Sequence, residues 1–416
     1  MSQPPALRDV TVLDLSTVGP GTRCARILAD YGARIIKIGV PPRHAGLQIE
    51  PAWWAYGAGR GWLRARIDLK APSGREAFFA LAGRADVVIE SFRPGVATRL
   101  GVDFDAVAAR NPRIVYCSTT GYGQDGPRAQ WAGHDLDYLA VGGYLGCSGR
   151  RPDGGPALPG ATIADAAAGG MHAALAILAA LLRRVATGHG EHLDVSVADG
   201  VLSLMALPAD EHLATGVEPG PGSDLLTGRY ACYDVYRCAD GRWLAVAAIE
   251  PAFFANLCKG LGLERWIPHQ LDDERQDELR AALAAGFARR DRDAWVAELG
   301  PGNACVAPVL SVAEVTADPG FAARRAFGDA EHPVHGRIRQ VGPILAGQTP
   351  PSDTARVRDA ASTDTDALLR EAGVPPSTSP PSATTEPSRD ASRKGRVGFV
   401  NFSRWEKLTN PTRPLS

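Results

Sequence analysis

The stretch Val10 to Ile38, VTVLDLSTVGPGTRCARILADYGARIIKI, decides the fold. VTVLDLS (Val10 to Ser16) is a short apolar run closed by turn residues, which reads as a buried strand. Gly and Pro in VGPGT mark a turn, and helical spacing follows through RCARILADYGA. RIIKIGV (Arg34 to Val40) is a second strand. The same alternation continues with a helix in SGREAFFALAGRA (Ser73 to Ala85) and a strand in DVVIESF (Asp86 to Phe92). FDAVAARNP is helical, and RIVYCSTTGYG (Arg113 to Gly123) is a fourth strand. Strands alternating with helices predict a parallel sheet covered on both faces, an α/β fold. Ligands of such sheets gather at the carboxyl ends of the strands. STVGPGT, ESFRPG and STTGYGQDGP all fall there.

Further along, a long helix is expected over about Ile163 to Val185, where Gly169-Gly170 suggests close backbone packing. HLDVSVADG (His192 to Gly200) reads as a strand entering a helix. From Leu225 the character changes. YACYDVYRCADGRWLAVAAI is a hairpin turned at Ala-Asp-Gly, and three helical segments follow. The expected limits are 1–224 for the N-terminal part of a large domain and 225–317 for a smaller α+β domain. Residues 318–374 return to the large domain, and 375–416 form a disordered Pro/Ser/Thr-rich tail.

Of 416 residues, 45% are hydrophobic and 22% charged, and the formal net charge is −1. That balance provides no global field for nucleic acid or an anionic membrane, so neither is expected as a partner. Seven cysteines without a C-x-x-C pair argue for a reducing, cytoplasmic setting. No signal peptide is evident at the N-terminus. The longest apolar run, Ala173 to Leu182, is too short to span a bilayer and ends in Arg183-Arg184. P-loop, HExxH, GxSxG and GxGxxG signatures are absent.

The chemistry-bearing candidates each have a plain structural alternative. His134 in QWAGHDLDYLA is a core histidine, a metal ligand with Asp135 and Asp137, or a base. No other ligands with suitable spacing accompany it, so no metal is expected. Asp165 opens the long apolar helix. It either complements the helix N-terminus or is a desolvated acid of raised pKa. Glu250 precedes Pro251 as a helix-capping acid. Arg93 binds a phosphate or pairs with Glu90. The pairs His189/His192 and His332/His335 read as surface residues.

Taken in order, several segments resemble the class III CoA-transferase family (CaiB/BaiF-like), and within it the α-methylacyl-CoA racemases. They are DLSTVGPGTRCARILADYGARIIKI, ARIDLK, ADVVIESFRPGVATRLGVDF, NPRIVYCSTTGYGQDGP, AGHDLDYLA, IADAAAGGMHAALAILAAL, TGHGEHLDVSVADG and ACVAPVLSVAEV. The match runs from about Val10 to Gly373.

The resemblance implies a Rossmann-like large domain built from both chain ends, a small α+β domain, and two chains interlocked as a homodimer. It also implies an acyl-CoA substrate, lipid metabolism, and no cofactor beyond the CoA that the substrate carries. His134 and Asp165 would be the acid/base pair, with Asp135 and Glu250 in support, Glu250 coming from the partner's small domain. CoA would lie along Ile67, Asp68, Leu69 and Lys70, then Arg93, then Gly133, His134, Asp135, Leu136, Asp137 and Tyr138. The implied reaction is racemisation of 2-methyl-branched acyl-CoA thioesters. The alternatives are CoA transfer through an anhydride on Asp165, or acyl-CoA binding without catalysis. One departure stands out. Gly39 and Val40 replace the acid and base the family carries before its proline, leaving Arg43 as a nearby cation. Trp53-Trp54 occupy an expected polar loop.

Overall fold

Six parallel strands form the central sheet of the computed structural model: β1 (Thr11–Asp14), β2 (Arg34–Gly39), β3 (Leu63–Arg66), β4 (Val87–Glu90), β5 (Val115–Thr120) and β6 (Glu191–Ser196). Their spatial order is β3-β2-β1-β4-β5-β6, and every pairing is parallel. The structure describes residues 4–17, 19–40, 59–333, 336–348, 355–357 and 362–374. The expected tail at 375–416, Arg43, Trp53-Trp54 and His335 lie outside the described residues.

Successive side chains of a strand face opposite sides, and here both sides are apolar. Val12, Ile35, Val87 and Val115 face Cys24, Ala25 and Leu28 of α1 (Pro20–Asp30). On the other side Leu13, Ile36, Val88 and Tyr116 meet Phe78 and Phe79 of α2 (Pro72–Ala82). Pro20 and Pro72 each start their helix, where the missing N–H has no helical acceptor to lose. Each large side chain buried this way contributes about 1.5–3 kcal/mol.

The strand β3 has no counterpart in the sequence reading. LRAR is short, half-buried and charged, so it carries no apolar run. It forms the sheet edge, and its outward N–H groups are taken up by the far end of the chain. Arg64 N–H donates to Asp364 Oδ2 (3.0 Å) and Arg66 N–H to Thr365 Oγ1 (2.9 Å). The helix that follows, Thr365–Glu371, buries Leu368 in the same core as Phe78. All six strands thus come from residues 11–196, and the far end of the chain covers the sheet edge and adds a helix to its core. Pairing the edge also removes a site for strand addition.

The long helix is continuous from Ala164 to Thr187, but it opens as a π-helix (Ala164–Met171) before α4 (His172–Thr187). Its 24 residues hold a window of mean hydropathy 1.6, enough by length and composition alone to cross a membrane, a property that core helices share. One face of this helix, with Ala173, Ala174 and Ile177, lies in the core beneath the sheet.

A separate core surrounds an antiparallel sheet of β7 (Tyr233–Arg237), β8 (Trp243–Ala247) and β9 (Val306–Pro308). Phe254, Leu283, Phe287 and Trp295 fill it. A third sheet pairs β10 (Phe327–His332) with β11 (Gly336–Val341) and β12 (Ala355–Arg356). His332 closes that hairpin opposite Gly336 and is buried, against the surface expectation.

The helix after β6, α5 (Val197–Leu204), crosses the π-helix at backbone contact. A methyl group at Gly200 would stand 2.0 Å from the Ala168 carbonyl oxygen, an overlap that no rotamer relieves. Gly200→Ala is expected to destabilise the protein by about 3 kcal/mol, the upper range for forced overpacking. Gly146→Ala, which meets nothing within 4 Å, is the near-neutral control. Urea unfolding of both variants measures the difference, and equal midpoints would refute the contact.

Candidate functional site

Strand order reverses between β1 and β4, which sends their following loops to opposite sides and opens a crevice at their carboxyl ends. The loop after β1 leads into α1, and the loop after β4 carries Arg93. A buried polar network fixes the first of these. Asp14 is fully buried and accepts from Lys37 Nζ (2.8 Å), Ser16 Oγ (2.5 Å) and Ser16 N–H (2.8 Å). Ser16 Oγ in turn lies 3.1 Å from Thr22 Oγ1. A buried charge is tolerated only when paired and hydrogen-bonded, so these groups pin the turn between β1 and α1. Sequence reading missed them. Their only trace was a lysine in an apolar strand and an aspartate ending another.

The pinned turn delivers Gly19 to Asp165. Gly19 has φ +78°, and a Cβ there would lie 3.4 Å from Asp165 Oδ2. The π-helix that carries Asp165 rests on the start of α1. Cβ atoms at Gly169 and Gly170 would lie 2.5 Å from Pro20 Cβ and 2.6 Å from Arg23 Cβ. This is the close approach expected from Gly169-Gly170.

The helix α3 (Asp135–Val141) approaches from the other direction. Asp165 N–H donates to Asp135 Oδ1 (2.8 Å), bridging thirty residues of sequence. His134 stands at the N-cap of α3, its N–H donating to Asp137 Oδ2 (2.9 Å). Its side chain is exposed, which removes the core-histidine reading. Among the described residues, no three His, Cys, Asp or Glu side chains are grouped to hold a metal ion. Tyr138 is buried, and its hydroxyl donates to the Gly133 carbonyl (2.6 Å).

Asp165 makes no side-chain cap hydrogen bond, but it sits in the first helical turn, where its charge complements the helix N-terminus. Its pKa is pushed up to about 6, first by desolvation and then by the Asp135 charge, with Arg23 and His134 opposing. A carboxyl group tuned this way exchanges protons near neutral pH.

The other predicted residues are placed as follows. Ile67 and Leu69 are buried in the core behind the sheet, so their side chains are not available to a ligand. Asp68 accepts Lys70 N–H (3.1 Å) and shapes the turn after β3, with Lys70 exposed. Arg93 is exposed and forms no ion pair with Glu90, whose carboxylate accepts Phe92 N–H instead (2.6 Å). Three strand spacings, roughly 14 Å, separate the β3 and β4 ends that carry Lys70 and Arg93. Leu136 and Val40 are exposed. Glu250 precedes the helix Pro251–Leu261 without a side-chain cap bond. No hydrogen bond or ion pair joins it to His134, Asp135 or Asp165.

A doubly wound sheet with a half-buried carboxyl of raised pKa beside its switch point defines the class, an α/β fold. Residues 7–360 match CoA-transferase family III, and the chain belongs to that family. It is 35% identical over 311 residues to the human alpha-methylacyl-CoA racemase, covering 74% of this chain and 79% of that protein. It is 31% identical over 350 residues to the succinyl-CoA–D-citramalate CoA-transferase of Chloroflexus aurantiacus, covering 81% and 86%. The crystal structure of a CaiB/BaiF family protein from Brucella suis superposes with a TM-score of 0.72 at 28% identity. That match covers 89% of this chain and all of the other.

Proposed function

We propose that the protein racemises 2-methyl-branched acyl-CoA thioesters by moving the proton at C2, with no cofactor beyond the CoA of its substrate. The observation that carries this is the junction of α3 and the π-helix, where Asp165 is bound to Asp135, the neighbour of the exposed His134. The C2 proton of a thioester is weakly acidic. Its removal needs a base and stabilisation of the enolate oxygen. Inversion needs an acid on the opposite face. In one direction neutral His134 takes the proton and protonated Asp165 returns one. In the other direction ionised Asp165 takes it and protonated His134 returns one. Lys70 and Arg93 are exposed cations at the carboxyl edge that suit CoA phosphates. The racemase similarity supports the same reading.

The transferase similarity favours a second reading. There, ionised Asp165 attacks the thioester carbonyl and expels CoA thiolate, leaving an acyl anhydride. CoA thiolate then attacks the Asp165 carbonyl and releases the donor acid. The acceptor carboxylate displaces the thiolate from that aspartyl thioester, and the thiolate attacks the acceptor's acyl carbonyl to free acceptor acyl-CoA and Asp165.

Exposed Leu175, Leu182, Val185, Leu207 and Leu213 make the helices around the π-helix apolar on their outer side. That supports a homodimer in which a second copy covers this face and brings Glu250 to the site. Incubation of one pure epimer without any free acid tests the reaction. Loss of optical purity supports racemisation, whereas change only on adding an acceptor acid supports transfer.

A further inference from the structure

The first turn of α1 presents two residues to Asp165, Gly19 and, one turn later, Arg23. Arg23 N–H donates to the Gly19 carbonyl (3.1 Å), so the two lie on the same helical face. A Cβ at Gly19 would stand 3.4 Å from the Asp165 carboxylate. The stem of Arg23 runs past Gly170, where a side chain would collide with it. Its Nη2 reaches Thr162 Oγ1 at 3.4 Å, three residues before Asp165. The guanidinium is thereby held alongside the segment 162–165, half-buried.

We propose that Arg23 is a positioning residue of the acid/base site, whose fixed cation balances the paired carboxylates of Asp135 and Asp165. This rests on the reading of Asp165 as a proton carrier.

The reasoning is electrostatic. Two carboxylates brought together in a partly dry site resist joint ionisation. Burial and Asp135 both push the Asp165 proton affinity up, and Arg23 is the largest influence in the other direction. The coupling is reciprocal, since the Arg23 guanidinium is itself perturbed by burial, then by Asp165 and Asp135. Among the described residues, the other ionisable groups that interact with Asp165 are His134 and Tyr138 of α3. From α5, uncharged Val197 and Gly200 pack on the π-helix. Asp165 must exist in both protonation states during a racemisation cycle. Without a cation beside it, the ionised state that acts as base would be depleted at neutral pH.

The test reads the proton on Asp165 directly, without turnover. Protein carrying 13C at aspartate carboxyl carbons is titrated by NMR, with the Asp165 signal assigned by its loss in Asp165→Asn. The wild-type midpoint is expected at about 6. Arg23→Met keeps the packing of the stem and removes the charge. Its midpoint is expected to rise by about one pH unit, the usual effect of one nearby opposite charge. Arg23→Lys should stay close to wild type. An unchanged midpoint in folded Arg23→Met overturns the proposal, as does an equal shift in Arg23→Lys. If the midpoint moves as expected and the enzyme racemises nothing, the proposed reaction fails and the role of Arg23 stands.

Discussion

Asp165→Asn is expected to lower the rate of C2 epimerisation about a thousandfold, within the range for removal of a positioned acid or base. The amide is nearly isosteric and keeps the N–H that binds Asp135, so the backbone junction survives. What disappears is the exchangeable proton. Under the transferase reading the same variant loses its nucleophile, so neither reaction should persist. Chiral analysis of the thioester measures the first activity, and CoA release to an added acid measures the second.

The pH dependence of the wild type follows from the raised Asp165 pKa. Each direction needs one proton shared between His134 and Asp165, so both directions are expected to show the same bell-shaped dependence on pH, with Asp165 titrating at about 6 within it. Stability moves too. The folded pKa lies above the ordinary carboxylate value, so the folded state holds the proton more tightly. Ionisation of Asp165 therefore opposes folding as pH rises from about 4 through about 6. Asp165→Asn removes that opposition, and its stabilising effect should be larger at pH 8 than at pH 5. Thermal unfolding at the two pH values checks it. A variant both inactive and more stable at pH 8 is the outcome expected of a functional carboxyl held in an unfavourable place.

His134→Ala has the second large effect, and it separates the two reactions. Its side chain is exposed and absent from the hydrophobic cores, so the fold should be unaffected. His134 takes the proton in one direction and returns it in the other, so epimerisation should fall about 10²- to 10⁴-fold from both epimers. CoA transfer through an Asp165 anhydride has no step that requires His134 and should continue. The initial rate from each pure epimer, measured with and without an acceptor acid, shows which pattern holds. Full activity from both epimers would remove His134 from the mechanism.

The parallel sheet was legible because its strands are continuous apolar runs bounded by turn residues. VVIE and VYCSTT are buried along their whole length. The edge strand β3 was not legible, because an edge half covered by Asp364 and Thr365 needs no apolar run. The π-helix could not be read either. ADAAAGGM has small side chains that suit any helical period, and its winding is set by contact with Pro20, Arg23 and α5. Among candidate residues, His134 and Asp165 were found through the resemblance, since sequence alone left both with ordinary explanations. The buried set of Asp14, Ser16, Thr22 and Lys37 was missed because its partners come from two strands and a helix. Ile67 and Leu69 were assigned to ligand contact through the resemblance, and their apolar side chains turn into the core instead.

The most direct test is C2 exchange in deuterated water, run with a single epimer of a 2-methylacyl-CoA and across a small panel of acyl groups. Deuterium at C2 appearing together with loss of optical purity, and no acceptor acid present, is the predicted result. Retention of both the C2 proton and the configuration across the panel, with CoA passed to an added carboxylic acid, would contradict the account.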